Sequence, residues 1–395
     1  MPQPFNFEKP VGTRDILPSL YEAKTSLRQA LNREINLWGY DWIETPTLEY
    51  YETIGKASAI PEHQLFKVLG GDGNTMVLKP DMTAPIARVV GTTMKDAVYP
   101  IRLAYDTSVF RSQQRPNTKM VEFEQVGIEL LGDGTSSANG EVVALLISAL
   151  IKAGLSAFKI AIGHVSFLNE LLMDTLTHEE ERHELKRFLY EKNHVGYTSK
   201  LENYSLTPTQ RERLLRLLVL RGTDDILREL KDLAPTQKGF SAVHELEQLL
   251  ATLELYGLKE WVTVDPTLIS HMNYYTGIVF EGYAQGSGFP FCSGGRYDGL
   301  LQAFDRSAPA IGFGVNLDEL VKMVNAHTSL PERLCIAFCE KRKGEAIQLA
   351  QEKRAKGQSV VLQAIDEIEH LPLYKNRFRQ MITLLDKEQV ETYHV

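Results

Sequence analysis

Residues 120–131 place the tightest constraint on how this chain can fold. Counted by twos, Val126, Ile128 and Leu130 fall on one side of a strand, and Phe123, Gln125, Gly127 and Glu129 fall on the other. One face is apolar and needs cover, while the opposite face carries an amide and a carboxylate. A second strand-like run, Leu103–Phe110, precedes it across a polar segment, Arg111–Lys119, whose Gln113, Gln114, Arg115, Pro116 and Asn117 suit a turn. Taken alone, Gln125 and Glu129 read as the solvated face of a strand.

Helical cover is available on both sides of this pair. Leu20, Ala23, Leu27, Leu31, Ile35 and Trp38 recur at helical spacing, so Ser19–Trp38 reads as an amphipathic helix begun by Pro18 and Ser19 and ended by Gly39. A short strand, Tyr40–Ile43, follows. From about residue 168 to 260 the chain is charged, Leu-rich and helical, a helical insertion between strand-rich segments. Within it Thr207-Pro208-Thr209-Gln210 reads as an N-cap, an N1 proline and a capping-box glutamine. Strands are expected again at Tyr274–Tyr283 and Phe289–Ser293, then a turn-rich run from Gly294 to Gly299, and a helix from Val315 to Val324. Beyond residue 332, Leu334–Phe338, Gly344–Lys356 and Ser359–Leu362 form a βαβ pattern, with Met381–Leu385 as a further strand.

The chain has 395 residues; at about 100–200 residues per domain it should form two or three units. The longest apolar stretch, Val142–Ile151, is far short of the ~20 residues a membrane helix needs. Residues 1–10 show neither a basic region nor an apolar run, so no secretory signal is read there and a cytoplasmic location is expected. The three cysteines, Cys292, Cys335 and Cys339, suit neither a disulfide framework nor a zinc site, and the ten histidines show no metal-ligand spacing. The net charge of −8 disfavours a broad polyanion-binding surface. Gly70-Gly71-Asp72-Gly73 is a tight turn rather than a phosphate loop, since no Lys-Ser/Thr follows it.

Several segments, in one order, resemble the histidyl-tRNA synthetase family. They are Gly12–Pro18, Leu78–Pro85, Phe110-Arg111 with Phe123–Glu129, Tyr274–Gly277, Gly294–Leu300 and Pro309–Phe313. The resemblance spans roughly residues 8–325. It implies an α+β fold, a class II synthetase-like antiparallel sheet flanked by helices, over residues 1–325 with the insertion at about 168–260. Residues 332–395 then resemble a shortened anticodon-binding domain.

The resemblance also locates a departure. The family surrounds the α-phosphate of ATP with three arginines, because transition-state charge on a phosphate needs fixed cations. Here Arg111 matches the first, but the second falls on Ser270 and the third on Glu319, and the glutamate that helps hold ATP falls on Gln113. A charged hydrogen bond contributes ~1.5–3 kcal/mol, and at Glu319 the sign is reversed as well. The amino-acid partners are present. By resemblance Asp81, Thr83 and Gln125 hold the ammonium of histidine and Arg111 its carboxylate. Glu129, Tyr275 and Tyr297 surround the imidazole, and Gly294 and Gly295 let backbone approach. Asn273 departs from the family's aspartate. Individually, Asp81 and Thr83 also read as a helix N-cap, and Tyr275 and Tyr297 as core aromatics.

The pattern fits the family's non-catalytic paralogues, the regulatory subunits of ATP phosphoribosyltransferase. The resemblance therefore implies no catalytic residue, no cofactor and no metal. It implies a short-form catalytic subunit as partner, L-histidine as effector, and self-association as a dimer. A working histidyl-tRNA synthetase and another class II-like amino-acid ligase stay open as alternatives. The short C-terminal unit and the acidic balance argue against tRNA as a partner.

Overall fold

The computed structural model describes residues 8–112, 120–269, 275–324, 333–386 and 390–394. Two compact units result, residues 1–16 with 24–325 and residues 17–23 with 326–395.

The first elements in chain order are helix α1, Pro18–Leu37, which belongs to the larger unit from Lys24 onward, and the short strand β1, Asp41–Trp42. A three-stranded sheet follows, built from β2 (Leu48–Tyr50), β3 (Lys67–Leu69) and β4 (Thr75–Leu78), with the glycine-rich turn joining β3 to β4. Helix α2, Thr83–Gly91, leads to the long hairpin β5 (Ile101–Phe110) and β6 (Glu122–Leu131). Then come α3 (Ser136–Lys152), β7 (Phe158–His164) and the helices α4 (Val165–Thr175), α5 (Glu179–Tyr190), α6 (His194–Glu202), α7 (Pro208–Leu217), α8 (Asp224–Leu233) and α9 (Gln237–Leu255). The unit closes with β8 (Val262–Val264), β9 (Ile278–Ala284), β10 (Cys292–Arg296), β11 (Ala310–Asn316) and α10 (Leu317–Met323).

Eight of these strands form one sheet in the order β1-β5-β6-β11-β10-β9-β7-β8. Its centre is antiparallel, as expected, but both edges are parallel, β1 on β5 and β8 on β7. The predicted face division holds in β6: Val126, Ile128 and Leu130 are fully buried against α1, α3 and α9. The other face is not solvated. Phe123 joins a second core with Met82 and with Ile86 and Val90 of α2, and Glu129 is only 2% exposed. Each buried aliphatic side chain contributes ~1.5–3 kcal/mol, so both faces are pinned and the register cannot slip. In α7, Thr207 accepts from Gln210 N while the Gln210 side chain accepts from Thr207 N, the capping box read from the sequence. No helix among the described residues is long and apolar enough to cross a membrane.

Strands expected from Tyr274 and Phe289 begin at Ile278 and Cys292, and two further boundaries differ from the sequence reading near the site. Gly294 and Gly295, read as a turn, lie inside β10, paired with Phe313 and Gly312. A Cβ on Gly294 would stand 2.4 Å from the Gly312 carbonyl oxygen, so close packing rather than chain reversal demands glycine. The helix expected from Val315 begins only at Leu317, because Val315 and Asn316 complete β11 and the Asn316 side chain caps the helix by accepting from Asp318 N and Glu319 N.

The smaller unit carries β12 (Arg333–Phe338), α11 (Lys343–Ala355), β13 (Ser359–Ala364), α12 (Leu371–Lys375), β14 (Gln380–Leu384) and β15 (Val390–His394). Its sheet runs β13-β12-β14-β15, parallel except for the last pair.

Candidate functional site

The hairpin, α2, β10 and β11 converge on one closely lined cavity of about 30 Å³. All seven side chains singled out in the sequence line it, from segments as far apart as residues 81 and 297. Gln113, Ser270 and Asn273 lie outside the described residues.

Glu129 is the centre of the site. Its two carboxyl oxygens accept from Tyr297 Oη at 2.5 Å and from Thr83 Oγ1 at 2.7 Å. Burial raises this carboxyl to about 8; Asp81 adds to the rise and the two hydroxyls oppose it. Thr83 thus serves the carboxyl rather than only capping α2. Capping falls to Asp81, whose Oδ1 accepts from Ala84 N at 3.0 Å while Oδ2 accepts from the Ser58 hydroxyl at 2.5 Å. Asp81 is 2% exposed, so its charge stands almost without water.

On the other side of the cavity Arg111 leaves β5, its backbone N–H bonded to Val121. Its Nε donates to the Pro80 carbonyl at 2.7 Å, and its guanidinium lies 5.4 Å from the centre of the Phe123 ring. Gln125 Oε1 accepts from Tyr105 Oη at 3.1 Å. Burial pushes the phenols of Tyr105 and Tyr275 upward, so both stay neutral. An acid, a base, an amide and uncharged hydroxyls therefore face one small space, a set suited to a zwitterion with a polar ring.

Sequence reasoning missed Tyr105, Ser293, Gly312, Phe313 and Gly314, which also line the cavity. The two glycines matter most. A Cβ on Gly312 would meet Glu129 Oε2 at 1.8 Å, and one on Gly314 would meet Gln125 Nε2 at 2.4 Å. Period-two counting would have found Tyr105; the pairing of Gly312 with Glu129 depends on register. Gly294 and Gly295 do not line the cavity themselves. A Cβ on Gly295 would meet the Tyr275 ring at 2.8 Å, so its part is to seat that ring.

Glu319 sits in the first turn of α10, where a carboxylate suits the helix dipole, and pairs with Lys322 Nζ at 2.8 Å. Beside it Asp318, 3% exposed, accepts from Arg14 at 2.5 Å, Lys24 at 3.0 Å and Glu124 N at 2.9 Å. Lys24 and Arg28 of α1 both reach Glu124. The positive side chains in this region are thus engaged by carboxylates of the chain itself.

Residues 12–320 match the family model of histidyl-tRNA synthetase, and residues 335–386 match that of the C-terminal domain of histidyl-tRNA synthetase HisZ. The ATP phosphoribosyltransferase regulatory subunit of Halalkalibacterium halodurans is 51% identical over 384 residues, 97% of each chain. The chain belongs to the ATP phosphoribosyltransferase regulatory subunit family. The regulatory subunit of Bacillus subtilis is 45% identical over 98% of this chain and 99% of its own. A solved structure from Bacillus halodurans, described as an ATP phosphoribosyltransferase regulatory subunit/histidyl-tRNA synthetase, superposes with a TM-score of 0.91 at 51% identity, covering 97% of this chain and 100% of that one. Histidyl-tRNA synthetase from Nostoc shares the fold, with a TM-score of 0.80 at 20% identity over 98% of this chain and 97% of that one. The regulatory subunit family thus carries a class II synthetase-like fold with a small C-terminal unit.

Proposed function

We propose that this chain partners a short-form ATP phosphoribosyltransferase catalytic subunit in the cytoplasm, raises its activity, and transmits feedback inhibition by L-histidine bound in the cavity around Glu129. Its building block is a dimer, the commonest symmetric assembly. The observation that carries the histidine assignment is the convergence of Asp81, Arg111 and Glu129 on one cavity. Asp81 and Gln125 would take the ammonium and Arg111 the carboxylate. Tyr275, Tyr297 and Glu129, with Thr83 orienting the last, would take the ring. A carboxyl that exchanges its proton near pH 8 can donate to a bare ring nitrogen or accept from a protonated one. The cavity is narrow, so histidine enters by displacing side chains. Feedback then requires that the opened arrangement be favoured in the inhibited state of the complex over the active one.

The test mixes the purified chain with a short-form catalytic subunit and follows phosphoribosyl transfer with and without histidine. The expected result is activation by the chain and its reversal by histidine; a rate unchanged in both cases overturns the proposal. Histidine-dependent pyrophosphate exchange by the chain alone is expected to be absent, and a substantial rate would favour a working synthetase instead.

A further inference from the structure

Ser58 does not line the cavity around Glu129, yet its hydroxyl reaches the acid at one end of it. The chain on both sides of Ser58 is fixed. Its backbone N–H donates to the Ile54 carbonyl at 2.8 Å, and two residues on, Ile60 is 3% exposed in a small core with Leu65 and with Val77 of β4. The side chain is fixed as well. Its oxygen accepts from Ile60 N at 3.2 Å, and its single proton is given to Asp81 Oδ2 at 2.5 Å.

Asp81 is thereby held at both oxygens. Oδ1 accepts from Ala84 N and Oδ2 from Ser58, so the carboxylate cannot turn about its Cβ–Cγ bond without losing a partner. A carboxylate offers about four acceptor positions. Two are filled from within the chain, and the rest are left for an ammonium. Asp81 is 2% exposed, so water is poorly placed to substitute for Ser58. Orienting the acid before the ligand arrives removes an ordering cost from binding. The same segment also reaches the opposite end of the cavity. The Gln64 carbonyl accepts from Ser112 N at 2.7 Å, one residue beyond Arg111. Residues 58–64 thus tie the acid and the base of the pocket to one stretch of chain.

We infer that Ser58 is a positioning residue for ammonium recognition: it acts through Asp81 and makes the pocket select a ligand that carries an amino group. This rests on the histidine assignment above and adds to it the residue that sets the ammonium end.

The experiment titrates the full chain calorimetrically with three ligands, following Tm in parallel. They are L-histidine, histamine, which keeps the ammonium and the ring, and imidazolepropionate, which keeps the carboxylate and the ring. Ser58→Ala should weaken histidine and histamine by the same factor, about tenfold, and leave imidazolepropionate unchanged. Ser58→Thr, which keeps the hydroxyl, should bind all three as the wild type does. A merely structural role would instead lower all three affinities together. Histidine affinity unchanged in Ser58→Ala, or an equal loss for imidazolepropionate, overturns the inference and leaves the pocket assignment standing. Absence of saturable histidine binding by the wild type removes the pocket assignment, and the inference with it.

Discussion

Glu129 and Gly312 face each other across β6 and β11, and the Glu129 carboxylate occupies the place where a Gly312 side chain would begin, with 1.8 Å between Oε2 and a Cβ built there. Gly312→Ala must therefore turn Glu129 away from Tyr297 and Thr83. Histidine affinity should fall at least tenfold, with about 1–3 kcal/mol of overpacking cost to stability. Calorimetric titration and urea unfolding measure the two effects; full retention of histidine affinity would show that Glu129 is not part of the site.

The protonation of Glu129 gives stability a defined pH dependence. Its carboxyl holds a proton in the folded chain up to about 8, against a value of 4.5 for an unperturbed glutamate. Between those values the folded state binds more protons than the unfolded one, so this contribution is complete below about pH 4.5 and is lost as pH rises through 8. The slope approaches about 1.4 kcal/mol per pH unit. Glu129→Gln removes it. Urea unfolding from pH 5.5 to 8.5 should show the variant gaining on the wild type as pH increases; parallel curves would contradict the assignment.

Arg111 is anchored through Nε to Pro80, which aims its remaining donors at the cavity. Arg111→Ala should lose a charged hydrogen bond of about 1.5–3 kcal/mol, weakening histidine roughly 10- to 150-fold. Histamine, which lacks the carboxylate, should bind wild type and variant alike. An equal loss for both ligands would assign Arg111 a structural role.

Asp318 tests the ionic cluster around α10. Burial alone would raise its carboxyl, but the Glu124 N–H, Lys24 and Arg14 bring it below the usual range. Its stabilisation is present above the unfolded-state value and fades as pH falls through the lowered folded one. Asp318→Ala leaves Lys24 and Arg14 short of a partner and should cost about 3–5 kcal/mol in chemical denaturation at pH 7. A loss below 1 kcal/mol would mean that Glu124 alone satisfies both cations.

What the sequence discloses follows from how local each signal is. The apolar face of β6, the span of α1 and the Thr207 capping box depend on neighbours within a few residues, and the structure reproduces them. The extension of β10 through Gly294 and Gly295 is hidden, because glycine pairs signal turns unless a partner strand demands bare backbone. The α10 boundary is hidden for a related reason: Asn316 ends a strand and caps a helix at once. In the site, the seven chemistry-bearing side chains are visible only through motif resemblance, as periodicity assigns Gln125 and Glu129 to solvent. The parts played by Gly312 and Gly314 escape that route, since they depend on which residue lies across the sheet.

The absence of side chains at Gly312 and Gly314 also restricts how ligand preference can drift over evolutionary time. Any replacement at either position takes space away, so single changes there can only narrow what is admitted. A relative that came to accept a bulkier amino acid would have to trim Tyr275, Tyr297 or Arg111 instead, giving up ring or carboxylate recognition in the same step.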